Sequence, residues 1–168
     1  METARVVCKE MLMQRGWVID QDDGDGDIIG HTGSGEQFIV FFTSGQKLNI
    51  SNVKDCIKVL DQLDIKYSIL VYCETITSSA KRVLTNLPTI KFELFALDDL
   101  QYNITKHIYA RPHIRLEEAE RVEFVKTMGQ DIPVLQKTDP MCRFYNFDKG
   151  DIIKVIRKND FVSYRIVK

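Results

Sequence analysis

The stretch "TDPMCRFYNFDKGDIIKVIRKNDFVSYRIVK", residues 138–168, decides how this chain is read. Asp139 offers a capping carboxylate, and Pro140 has the fixed φ that suits a first helical turn, so "PMCRFY" is predicted as a short helix. "NFDKG" turns the chain. "DIIKVIR" and "FVSYRIV" then read as two strands either side of "KND", a hairpin. On the first strand Ile153, Val155 and Arg157 share one face, and Ile152, Lys154 and Ile156 the other. On the second, Val162, Tyr164 and Ile166 oppose Phe161, Ser163, Arg165 and Val167. Neither face is purely polar. Packing within its own domain covers one, and the other invites a protein partner, since aromatic residues and arginine are favoured at interfaces. A two-stranded ribbon is marginal alone, so the hairpin also needs the helix before it.

Working outward, "DIPVL" is extended because Ile132 precedes a proline. Leu116, Ala119, Val122 and Val125 mark a helix that is glutamate-rich near its start and ends at Gly129. Further upstream the texture changes. A helix is predicted before Gly16, with "WVI" as a short strand after it. "DQDDGDGDIIGHTGSG" reads as an exposed polar loop. "EQFIVFF", "KYSILVYC" and "TIKFELFAL" are strands. Between them lie a helix capped by Ser51, with Val53, Ile57 and Leu60 as its stripe, and the helix "TSSAKRVLTNL". Apolar strands joined by helices make an α/β layer with a mixed or parallel sheet. Residues 1–106 form this first domain and residues 107–168 a small α+β module with a helix and hairpin.

The 168 residues carry a net charge of -1, which argues against a protein built to coat nucleic acid. The charge is uneven: residues 1–106 hold 11 Lys/Arg against 15 Asp/Glu, and residues 107–168 hold 12 against 9. Cys8, Cys56, Cys73 and Cys142 fit no zinc spacing and read as buried thiols of a reducing compartment. The opening "METARVVCKEMLMQRG" has no signal-peptide core, and no apolar run is long enough to span a membrane, so an intracellular location is expected.

No motif carries catalysis. Aligning Gly26 with the glycine of a calcium loop puts Gln21 first and Thr32 last, so the acidic run Asp20, Asp22, Asp23, Asp25 and Asp27 fails as a metal site. "GHTGSG" lacks the lysine of a phosphate-binding loop and permits a turn. In the alternative reading as a metal-dependent nuclease, Asp27 and Glu36 would be its two acids, but the position of the expected lysine is Phe38. His31, His107 and His113 stand beside no recognisable nucleophile. A free-standing nucleic-acid-binding module is the other alternative. It is weakened by the small charge excess of the tail and the lack of a stacking platform.

Asp139, Pro140, Met141, Cys142, Arg143, Phe144, Lys149, Gly150, Ile156, Arg157, Tyr164 and Arg165 stand, in order, where the RPB5 family has its C-terminal signature. That family comprises the shared fifth subunits of eukaryotic-type DNA-directed RNA polymerases and their archaeal relatives, and this stretch closely resembles it. Upstream, "YNITKHIYARPHIRL", with Asn103, Ile104, Thr105, His107 and His113, resembles the family's linker, and Pro133 the proline before its last module. "RGWVI", "YSILVYCETITSSAKRVL" and "IKFELF" extend the resemblance to the first domain. The resemblance implies a non-catalytic subunit of a multisubunit DNA-directed RNA polymerase, with no cofactor, metal or catalytic residue of its own. It implies a nuclease-like N-terminal jaw near downstream DNA and a C-terminal module docking on the largest subunit. Asp139, Pro140, Arg143, Lys149, Gly150, Arg157, Tyr164 and Arg165 are the expected interface and its support. A nuclear location follows, nucleolar if the chain serves polymerase I alone. The short segment from Trp17 to Phe38, its acidic loop and the shifted Pro112 mark a divergent paralogue or a viral version, the latter placed in virion or host cytoplasm.

Overall fold

The computed structural model describes all 168 residues except Asp25, Gln46 and Gln130. It falls into two compact units, Met1–Tyr102 and Asn103–Lys168. Each has its own strands and helices, an α/β layer in the first and a smaller α+β module in the second.

In the first unit, helix α1 (Glu2–Gln14) precedes strands β1 (Val18–Asp22), β2 (Ile28–His31) and β3 (Gln37–Phe42). A two-residue strand β4 (Lys47–Leu48), helix α2 (Ile50–Gln62), strand β5 (Tyr67–Tyr72), short β6 (Thr75–Ile76), helix α3 (Ser78–Asn86) and strand β7 (Lys91–Ala96) complete it. The main sheet runs in the order β1-β2-β3-β5-β7, antiparallel as far as β3 and parallel beyond. That change of sense follows from the connections: only short segments separate β1, β2 and β3 in sequence, whereas α2 and α3 carry the chain back for parallel pairing. Ile39 and Phe41 of β3 meet Val53 and Leu60 of α2 and Ala80 and Leu84 of α3 in one core. The opposite face, with Phe42, receives α1, whose Arg5 guanidinium lies 5.1 Å over the Phe42 ring.

Three expectations are corrected here. The polar run after Trp17 is not a loop throughout, because β1 reaches Asp22 and β2 occupies Ile28–His31. Its acids are tolerated in a strand because Asp22 is neutralised by Arg5 and by Lys9, the latter at 2.8 Å. Asp25 lies outside the described residues. Gly30 does not serve a turn: a Cβ there would meet the Val18 carbonyl oxygen at 2.1 Å. The α2 cap is Asn49, whose side chain accepts the Ser51 and Asn52 N–H groups, while Ser51 lies inside the helix.

The second unit opens with a 3-10 turn at Ile104–Lys106. It continues through β8 (His113–Arg115), α4 (Glu118–Met128), β9 (Val134–Leu135), α5 (Pro140–Tyr145), β10 (Ile152–Ile156) and β11 (Val162–Val167). The hairpin does not stand alone against a helix. It is the centre of a four-stranded sheet ordered β8-β10-β11-β9, with β9 parallel to β11. On one face Ile153, Val155 and Val167 pack with Leu135, Cys142 and Phe147. On the other, the Tyr164 ring lies 4.4 Å from that of Phe124 in α4. The α4 stripe also differs from expectation: Leu116 precedes the helix, Val122 is exposed, and Phe124 makes the ring contact with the sheet.

Candidate functional site

The helix predicted from Asp139-Pro140 is α5, and its ends explain why those residues are there. The Asp139 carboxylate accepts the Met141 N–H at 2.8 Å, and Pro140 occupies the first turn, where no N–H is required. Asn146 ends the helix in the left-handed region at φ 53°. Gly150 turns the chain at φ 90° and donates its N–H to the Val167 carbonyl at 3.0 Å. Asp139, Pro140 and Gly150 thus shape backbone.

The remaining sequence-predicted residues do not gather in one place. Arg143 is half-buried on α5, and Lys149 is exposed in the turn before β10. Tyr164 lies on the α4 side of the sheet, because it pairs with Lys154 while the core residue Ile153 pairs with Arg165. Arg165, beside Arg157, faces the α5 side. There a groove of about 470 Å³ is lined by Arg111, Arg157 and Arg165, by His107 and His113, and by an apolar floor including Ile104, Met141 and Val155.

The arginines are held by neutral groups. Arg157 Nε donates to Ser163 Oγ at 3.1 Å, and Arg165 Nη1 to the Val134 carbonyl at 3.4 Å. Arg111 Nη1 donates to the Ala110 carbonyl at 2.9 Å. His113 Nδ1 lies 2.7 Å from the Arg111 carbonyl, to which it donates, and His107 Nδ1 accepts the Tyr109 N–H at 3.2 Å. Sequence reasoning placed Arg157 and Arg165 among the site residues but missed Arg111. Read in sequence it belongs to a connecting segment, and only β8, pairing with β10, carries its neighbour His113 to the groove.

The nuclease alternative fails on geometry. Register pairs Ile28 with Val40 and His31 with Gln37, and the Thr32 N–H bonds the Glu36 carbonyl, so Asp27 and Glu36 sit at opposite ends of the β2–β3 hairpin. Five extended residues separate those ends by roughly 16 Å, too far for carboxylates of one metal site. Local desolvation raises the Asp27 pKa, opposed by the Phe42 N–H and Arg5. Among the described residues no three His, Cys, Asp or Glu side chains could hold a metal ion, and no helix is long and apolar enough to cross a membrane.

The family model described as "RNA polymerase Rpb5, C-terminal domain" matches residues 102–167. A chain assigned as DNA-directed RNA polymerase subunit 454R, from Invertebrate iridescent virus 6, is 30% identical, covering 96% of each chain. Subunit RPABC1 of DNA-directed RNA polymerases I, II and III from Caenorhabditis elegans is 25% identical, covering 94% of this chain and 90% of its own. Its Dictyostelium discoideum counterpart is 26% identical over 78% and 72% respectively.

Proposed function

The chain belongs to the Rpb5 family and is a non-catalytic subunit of a DNA-directed RNA polymerase, and from this premise we propose that its second unit docks on the largest subunit. What supports docking through this unit is that the matched residues 102–167 also hold the arginine-lined groove. The division of labour at about residue 106, with a nuclease-like jaw before it and an assembly module after it, is part of the proposal. Asp139, Pro140 and Gly150 support the docking surface, and Arg143, Lys149, Arg157, Tyr164 and Arg165 supply contacts or hold them. Downstream DNA lies near the first unit without a strong direct contact, since that unit is acidic.

Tagged full-length chain, purified from its native source and analysed by mass spectrometry, should recover the large polymerase subunits. Recovery of none would overturn the reading. The combined Arg143→Glu and Arg165→Glu changes should reduce recovery, and unchanged recovery would remove both from the docking surface. The iridovirus likeness favours a viral polymerase, working in host cytoplasm or packaged in the virion, over a nuclear one. The origin of the co-purified subunits decides between them.

A further inference from the structure

Arg111, Arg157 and Arg165 converge on one concave surface, and among the described residues no carboxylate lines it. Their hydrogen bonds, among the same residues, go to the carbonyls of Ile108, Ala110 and Val134 and to the Ser163 hydroxyl. Three like charges without a counter-charge repel one another in the isolated chain, and that repulsion is relieved by an anionic occupant. The space of about 470 Å³ is of the size that takes a compact ligand or a few side chains. Its floor is apolar, at Ile104, Met141 and Val155. An extended occupant matching both features carries carboxylates and aliphatic groups two positions apart, on one face.

The sheet points to the occupant's conformation. β8 is the outermost strand on the groove side, and its His113 lines the groove. A segment added along that edge would hydrogen-bond through its backbone and send alternate side chains toward the Arg111 and His113 end of the groove. Arg165, two strands further in on β11, is reached by residues that continue over the sheet face. A nucleic-acid backbone would satisfy the arginines but leave the apolar floor uncovered.

We propose that this groove seats an extended acidic segment of the large polymerase subunit, with Asp or Glu carboxylates held by Arg157, Arg165 and Arg111 and an aliphatic side chain on Met141 and Val155. This rests on the docking reading above. The test uses overlapping 15-residue peptides covering the co-purified largest subunit, probed with the full-length chain. Peptides with an acidic and an aliphatic residue two positions apart, on one face of an extended segment, should be captured. Capture should fall at least tenfold with the combined Arg157→Glu and Arg165→Glu changes, and return when the peptide's acids are replaced by lysine. The neutral pair Arg157→Gln and Arg165→Gln, with its fold checked by circular dichroism melting, should also lose at least tenfold. Capture insensitive to these changes, or confined to neutral or basic peptides, overturns the proposal. So does duplex DNA or single-stranded RNA binding that shows the same losses while acidic peptides do not bind. If polymerase subunits still co-purify in those cases, the groove assignment falls alone. If none co-purify with the wild-type chain, the docking reading falls with it.

Discussion

Gly30 packs where a side chain has no room. Besides the Val18 carbonyl, an added Cβ would come within 2.7 Å of the Phe38 ring. Gly30→Ala should therefore push β1 from β2 and cost about 1–3 kcal/mol, the range for overpacked sites, read as a lower thermal midpoint. An unchanged midpoint would show that β1 yields freely. Glu93 presents the opposite case, a polar group buried with its partners. Arg15 grips it with two nitrogens at 2.7 and 2.9 Å, the Tyr67 hydroxyl donates to it, and the Arg15 side chain is 2% exposed. Glu93→Ala should cost about 3–5 kcal/mol in urea unfolding because it removes the carboxylate from a buried guanidinium. Neither role is written in local sequence. Gly30 sits in a run that reads as a turn, and Arg15 and Glu93 stand 78 positions apart.

At the scale of elements, α1 is fastened to the β1 strand by one carboxylate. Arg5 and Lys9, one helical turn apart, both reach Asp22, and Arg5 also donates to the Gly26 carbonyl at 2.5 Å. Hydrogen bonds from Lys9 and Arg5 hold the Asp22 carboxyl well below the usual carboxylate range. A depressed folded pKa contributes stability above the unfolded value of about 3.9, and that contribution is lost as pH falls toward the folded value. Asp22→Asn should thus lower stability at pH 7 and flatten its decline between about pH 4 and pH 2. A wild-type slope retained in the variant would exclude the clamp. At α5, Asp139→Ala should cost about 1 kcal/mol through the lost cap. That helix was legible because capping is local chemistry, written in two adjacent residues. β8 was not, and β9 was legible only as the extended chain of "DIPVL": at three and two residues they are too short for periodicity, and only their pairing with β10 and β11 makes them strands. The same limit hid the groove, since Arg111 and His107 reach it from the segment leading into β8.

For the whole molecule, charge sets the expectation. At a net -1, with the first 106 residues poor in Lys and Arg (11 against 15 Asp and Glu), the chain should bind duplex DNA only weakly at physiological salt in fluorescence anisotropy. Tight binding that weakens steeply with added salt would contradict its role as an assembly subunit. The acids of β1 are less available than the sequence implies, because Asp22 is ion-paired and Asp20 lies 2.9 Å from His31. The cysteines divide along another line. Burial pushes the Cys8 thiol up to about 12 and Cys56 to about 11, and raises Cys142 as well. Cys73 alone among the four is not buried, with its Sγ 3.3 Å from the Thr43 carbonyl. A maleimide dye offered to the native protein will therefore settle first on Cys73. The wild-type chain thus carries its own attachment point for a fluorophore on the first unit, from which energy transfer to a labelled duplex can be measured without introducing or removing a cysteine.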